Sequence, residues 1–283
     1  MLVTTKEMLR DAYTRRYAVA AVNTQGGNYD IIRAVCLAAE ELRAPVILAH
    51  YMATGAYSGH DWFVHTCKWM ANKVNVPVAI HLDHGDTVEN CKAMLDLGFT
   101  SIMYDGSALS VEENARNTGS VLEFCHAKGV PVEAELGEIG RLNEIGVNMN
   151  ASNIADPETV REYLSLCSPD SLAVGIGNAH GFYKGKPDIR LEILQAVREF
   201  CDLPFVLHGC TGMSDLMIRD AIGMGVAKIN FGTQVRYSYM EYLREGCGME
   251  LQGHSWKLSQ YAEGKLRQDI KEIISLAGSD GKV

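Results

Sequence analysis

Short apolar, β-branched runs recur along the whole chain, and segments with helical periodicity stand between them. That alternation constrains the fold more than any other feature. The runs are residues 17–22, 45–50, 76–81, 101–104, 130–136, 172–176, 205–207 and 227–230. Between them, residues 31–42, 88–97, 111–128, 157–166 and 189–200 return an apolar residue every three or four positions. Buried strands joined by amphipathic helices make a parallel sheet with right-handed crossovers. Eight such units closing on themselves predict an α/β fold, the (β/α)8 TIM barrel, with a doubly wound open sheet as the rival. Pro45, Pro77, Pro131 and Pro204 stand at strand entrances, where the preceding helix must stop. Gly98, Gly129 and Gly225 fall where helices should end.

No linker interrupts the pattern, so residues 1–283 read as one barrel domain with a C-terminal helical extension. The stretch 137–156 is the exception, with three glycines, four asparagines and little periodicity, as expected of a lid or a disordered loop. A net charge of −9 argues against nucleic acid or an anionic membrane as partner. No apolar run approaches the ~20 residues that span a bilayer. The eight cysteines are scattered without a C-x-x-C pair and read as reduced thiols, hence a cytoplasmic location.

Within this frame, His84, His180 and His208 each end an apolar stretch and each precede a glycine. At the carboxyl ends of barrel strands they would converge, and three imidazoles with an open fourth position suit a catalytic zinc ion. Asp83 adjoins the first of them. Asp105, Glu133, Glu135 and Asn230 also lie at or near strand ends, and Asp105 and Glu135 read either as ligands or as groups orienting them. His81 reads as ordinary packing, and His50, His60, His65, His126 and His254 as surface or local residues. Two glycine turns, Gly209-Cys210-Thr211-Gly212 and Asn230-Phe231-Gly232-Thr233, lead into helices and suit an anion, with Lys184 as a nearby positive charge. A Lewis acid, a carboxylate and an anion site together fit carbon–carbon cleavage beside a carbonyl in a phosphorylated ketose. Lys228 is the one strand lysine to consider for a Schiff base, and its neighbours do not favour that route.

These residues resemble the class II, metal-dependent ketose-bisphosphate aldolases nearly end to end. The most specific pieces are His81-Leu-Asp-His-Gly85, Asp105-Gly-Ser107 with Glu112-Glu-Asn114, Glu133-Ala-Glu-Leu-Gly137 and Asn178-Ala-His-Gly-Phe-Tyr-Lys184. The resemblance implies zinc on His84, His180 and His208, with Glu135 and Asp105 at an alternative or second metal position. It implies that Asp83 handles the proton of the aldehyde-derived hydroxyl and that Glu144, in the loop after the fifth strand, is a further acid/base. Asn23, Gly181, Gly209, Thr211, Asn230 and Thr233 would hold the dihydroxyacetone phosphate end. A monovalent cation is a further candidate cofactor. The family forms dimers or tetramers, and Lys257 or Arg267 would be placed to reach a neighbour.

This sequence departs from the family at the substrate walls. Gly209-Cys210-Thr211 replaces Gly-Gly-Ser, and the cysteine is expected to add bulk beside the phosphate. Ala49-His50-Tyr51 replaces Gln-x-Ser, and Asn230-Phe231-Gly232-Thr233 lacks an acidic residue. The aldehyde half is therefore open: a phosphate, a sulfonate or an uncharged end. The alternatives are a zinc-dependent hydrolase or epimerase of a sugar phosphate, and a silent sugar-phosphate binding protein.

Overall fold

The computed structural model describes residues 1–141, 154–251 and 253–283. Its strands are β1 (Val19–Asn23), β2 (Val46–Tyr51), β3 (Val78–Gly85), β4 (Ser101–Tyr104), β5 (Val132–Leu136), β6 (Gly140–Arg141), β7 (Ser171–Val174), β8 (Ala179–His180), β9 (Phe205–Leu207) and β10 (Val226–Phe231). Eight of them close in parallel in the order β1-β2-β3-β4-β5-β7-β9-β10. The remaining pair, β6 and β8, forms a separate two-stranded sheet. The open-sheet rival is excluded, and the expected strands and helices appear within a few residues of their predicted ends.

Alternation along each strand sends side chains to two different places. Val22, Leu48, Ile80, Ile102, Leu172, Leu207 and Ile229 face outward into the large apolar cluster under the helices. Burying each such side chain contributes about 1.5–3 kcal/mol. Several of the inward positions are polar instead. Lys228 on β10 meets Glu133 on β5, and Asn230 meets Asp83 on β3, although neither pair of strands is adjacent. Those contacts cross the lumen.

A helix at Thr5–Arg15, absent from the sequence reading, closes the amino end of the barrel. Its Met8, Leu9 and Ala12 pack on Val19, Ala21, Ile47, Ala79 and Ala227. The C-terminal helix Ser255–Ala277 lies along helix Tyr29–Leu42. It is tied to the barrel where Ala18 N–H donates to the Ala277 carbonyl at 2.9 Å.

Candidate metal centre and substrate pocket

Strict alternation on β3 would aim Asp83 inward and His84 outward. His84 instead adopts a left-handed conformation, φ 54°, which costs a non-glycine residue on the order of 1–2 kcal/mol. The pairing register with β4 slips between Leu82 and Gly85. Adjacent residues thus both reach the barrel mouth, and Asp83 and His84 line one cavity. Gly85 follows of necessity: a Cβ there would lie 2.6 Å from Cys91 Sγ and from the Met103 carbonyl.

His208 stands just past β9, as expected. His180 does not end a barrel strand. The sixth barrel strand, β7, stops at Val174, and His180 sits six positions beyond it on β8, held by pairing with Arg141. The extra sheet brings it back over the mouth. His84 Nε2 and His180 Nε2 are 3.1 Å apart, and ligand atoms of His84, His180 and His208 all lie within 4.8 Å of one another. Ligand atoms of a second group, His84, Asp105 and Glu135, also lie within 4.8 Å of one another.

The surroundings polarise this cluster. His84 Nδ1 donates to Asp105 Oδ2 at 2.7 Å and lies 3.6 Å from Glu135 Oε2. Asp105 also accepts from the Ser107 amide at 3.1 Å and hydroxyl at 2.6 Å. Burial opposes a charge on His84, but the Asp105 hydrogen bond and the charges of Glu135 and Asp83 outweigh it and push the pKa up to about 10. Burial, then the charge of Asp105, pushes Glu135 up to about 8. Burial would also raise Asp83, yet the charges of His84 and Lys228 hold its carboxyl below the usual range. His208 falls well below an ordinary histidine through burial and the charges of His84 and Lys228.

The residues fit a cation on an observation independent of their names. Glu135 Oε2 and Asn230 Oδ1 are buried without a hydrogen-bond partner among the described residues. Two imidazole nitrogens face each other at 3.1 Å, close to the roughly 3.3 Å between two corners of a tetrahedron with ~2.0–2.1 Å zinc–nitrogen bonds. Three nitrogens and an open side are a donor set suited to zinc.

The cavity beside them measures about 300 Å³. Asn23, Asp83, His84, His180, Gly181, Gly209, Thr211, Asn230 and Thr233 line it together. Lys184 does not. Tyr183 turns inward, its hydroxyl 2.7 Å from the Ala179 amide, and the next side chain is sent out to solvent. Glu144 lies outside the described residues. The two glycine turns also part company. Helix Asp215–Gly223 is capped by Ser214, whereas helix Thr233–Cys247 has no side-chain cap, and its first residues border the cavity. The Gln234 N–H is taken by Thr211, and the remaining first-turn N–H groups favour an anion. Thr211 Oγ1 accepts from the Gln234 amide at 3.2 Å, joining the turn after β9 to this helix start. Cys210 does not add bulk there: its buried thiol donates to the Leu207 carbonyl at 3.3 Å, away from the cavity.

Sequence reasoning missed Gln25, Tyr51, Thr54 and Arg236 as lining residues. Arg236 was within reach of it, since it follows Thr233 by three positions on a helix and so shares its face. It has no ion pair among the described residues and lies 5.2 Å over the Tyr237 ring. His50 is buried rather than superficial: it stacks on Phe63 at 4.3 Å and meets His60 Nδ1 at 2.8 Å.

Comparison with known proteins agrees with the fold. The sequence matches the family described as "Fructose-bisphosphate aldolase class-II" over residues 3–282. It is 40% identical over 247 residues to a protein named fructose-bisphosphate aldolase from Geobacillus stearothermophilus, covering 86% of this chain and 85% of the relative. The crystal structure of the YdjI aldolase from Escherichia coli K12 matches with a TM-score of 0.87 at 33% identity, covering 100% of this chain and 99% of that one. A fructose-bisphosphate aldolase structure from Campylobacter jejuni matches at 0.82 and 23% identity, covering 100% of this chain and 97% of that one, which bears on the fold alone.

Proposed function

The chain belongs to the class-II fructose-bisphosphate aldolase family and is a metal-dependent aldolase of the ketose-bisphosphate type, and from that premise we propose how its residues divide the work. His84, His180 and His208 hold one zinc ion, with Asp105 and Glu135 orienting His84 or offering an alternative position. Bound there, the ion supplies Lewis acidity toward the oxygens of the ketose. The observation that carries this reading is the convergence of three imidazoles, two of which, His84 and His180, line one cavity together with the buried carboxylate of Asp83.

Asp83 is the proton carrier at the bond that breaks. Its Oδ1 accepts from the Asn230 amide at 3.0 Å, which fixes the carboxylate, and its lowered pKa keeps it a base. In cleavage it takes the proton of the hydroxyl next to the scissile carbon–carbon bond. That carbon becomes the aldehyde, and the bonding electrons pass to the donor fragment as its enediolate. A carboxylate from the segment after β6, Glu144 by resemblance, then returns a proton to carbon and gives dihydroxyacetone phosphate. The uncapped start of helix Thr233–Cys247, with Gly181, Gly209 and Thr211, holds the phosphate; Asn23 and Asn230 hold the donor's oxygens.

Arg236 deepens the substrate reading, because a guanidinium beside the cavity with no ion pair among the described residues favours a substrate with a second anionic group. Self-association is supported by exposed aromatics: Trp69 packs 6.1 Å from Tyr29, and Trp256 borders the same groove as Tyr29. Arg267 is already engaged by Glu41 at 3.2 Å within its own chain. A reducing, cytoplasmic setting suits the eight free thiols. The test is release of dihydroxyacetone phosphate from a panel of ketose phosphates, read by coupled NADH oxidation. Release that requires zinc, with a preference for doubly anionic substrates that Arg236→Met erases, is the expected result. Zinc-loaded protein that releases none from any member would overturn the reading.

A further inference from the structure

Beneath the cavity the lumen holds a second polar layer that this chemistry does not use. Lys228, Glu133 and His81 are 0%, 2% and 0% exposed. Lys228 Nζ lies 2.7 and 3.0 Å from the two Glu133 oxygens and 3.0 Å from His81 Nε2. His81 Nδ1 is 2.8 Å from Ser101 Oγ, which also accepts from Thr5 Oγ1 at 2.8 Å. Glu133 Oε1 reaches upward to His208 Nε2 at 3.0 Å.

Counting protons fixes the pattern. An ammonium donates three hydrogen bonds and accepts none, whereas a carboxylate only accepts. His81 Nε2 faces the ammonium, so it carries a lone pair, and its proton sits on Nδ1 toward Ser101. His208 Nε2 faces the carboxylate, so it carries the proton. The lone pair of His208 is then on Nδ1, which accepts from the Asn230 amide at 3.1 Å and lies 3.8 Å from Asp83 Oδ1, on the cavity side.

We propose, resting on the metal-site reading above, that Glu133 and Lys228, backed by His81, are positioning residues that hold His208 in the tautomer offering Nδ1 to the ion. Glu133 sets the ring's tautomer and orientation. Lys228 neutralises Glu133, so that a carboxylate stands sealed below the site without an unpaired buried charge. A buried ion pair seldom adds stability over apolar side chains of the same volume. This chain already fills neighbouring lumen positions with Ala21, Ala79 and Val206, so charge here calls for a role beyond packing. A carboxylate behind a metal-bound histidine has such a role, raising the ligand's basicity and fixing its direction. Lys228 is also removed from Schiff-base chemistry, because its amine is committed to Glu133 and His81 and does not border the cavity.

Two double variants and one spectrum test this. Glu133→Gln with Lys228→Met removes both charges but leaves an amide oxygen for His208 Nε2–H; Glu133→Leu with Lys228→Met keeps the bulk and removes the acceptor. In competition with a chromophoric chelator, the first should stay near wild-type zinc affinity and the second should bind on the order of 10–100-fold more weakly. Melting of the metal-free proteins checks that each is folded. Long-range ¹H–¹⁵N correlation on metal-free wild type, with His208 assigned by its loss in His208→Asn, should show the proton on Nε2. A folded Leu/Met variant with wild-type affinity, or a proton on Nδ1, would overturn the inference. If the Leu/Met variant does not fold, the spectrum alone decides. Should wild type bind no zinc, the metal-site reading fails instead, and the spectrum still decides the tautomer.

Discussion

The barrel lumen contains two polar layers of similar composition that are satisfied to opposite degrees. In the lower one, every polar side-chain atom of Lys228, Glu133 and His81 has a partner at 3.0 Å or less. In the upper one, Glu135 Oε2 and Asn230 Oδ1 have no hydrogen bond among the described residues, and His84 Nε2 faces His180 Nε2. Both layers pay desolvation, but the lower one recovers it in full within the protein and the upper one only in part. Buried polar atoms left without partners call for an explanation, and a ligand that completes them is the natural one. On the reading proposed above, the upper layer binds and reacts, while the lower layer holds it in place.

Substitutions that treat the layers alike should break this contrast, and the upper layer gives the largest effect. Asp83→Ala should lower turnover by about 10²–10⁴-fold while zinc content, read by mass spectrometry, stays at the wild-type level. Unchanged turnover would remove Asp83 from the proton transfer. His180→Ala should instead lose the metal, with zinc well below one per chain after dialysis. In the lower layer, Lys228→Met should leave catalytic groups in place but strand the Glu133 charge. Urea unfolding should then show a loss of about 3–5 kcal/mol; a smaller loss would mean that water reaches the layer.

Acidity separates the layers further. In metal-free protein His84 has a pKa of about 10, so its charged form stabilises the fold fully below its ordinary ~6.5, and that contribution is lost as pH rises through 10. Glu135 has the same sign: raised to about 8, it stabilises below the ordinary carboxylate range and loses that contribution as pH climbs through 8. Calorimetry should therefore show the metal-free melting temperature falling from pH 6.5 to pH 9. Zinc-loaded protein should fall less, since the ion replaces the proton on His84. The smallest effect belongs to Cys210→Ala, which should leave the KM for the ketose unchanged because the thiol points to Leu207.

The outward faces of the strands were legible because alternation with helices is written locally, residue by residue. The lumen was legible only where a local motif marks it, as in His81-Leu-Asp-His-Gly85. Lys228 and His81 are partners across 147 positions, and Lys228 and Glu133 across 95; no periodicity encodes that meeting, so His81 read as packing. His180 read as a strand end because Gly175-Ile176-Gly177-Asn178 conceals where β7 stops. Lys184 read as a phosphate ligand because charge and proximity in sequence do not say which of two neighbours turns inward; Tyr183 does. The left-handed turn at His84 had no signal beyond the glycine that follows it.

The central claim is that the upper layer, once loaded with metal, activates the donor half of the substrate. Proton NMR of dihydroxyacetone phosphate in D₂O with the protein tests it without any aldehyde. The account predicts stereospecific loss of one carbon-bound hydrogen signal, abolished by chelation and restored by zinc. Zinc-loaded protein that exchanges no hydrogen would contradict it.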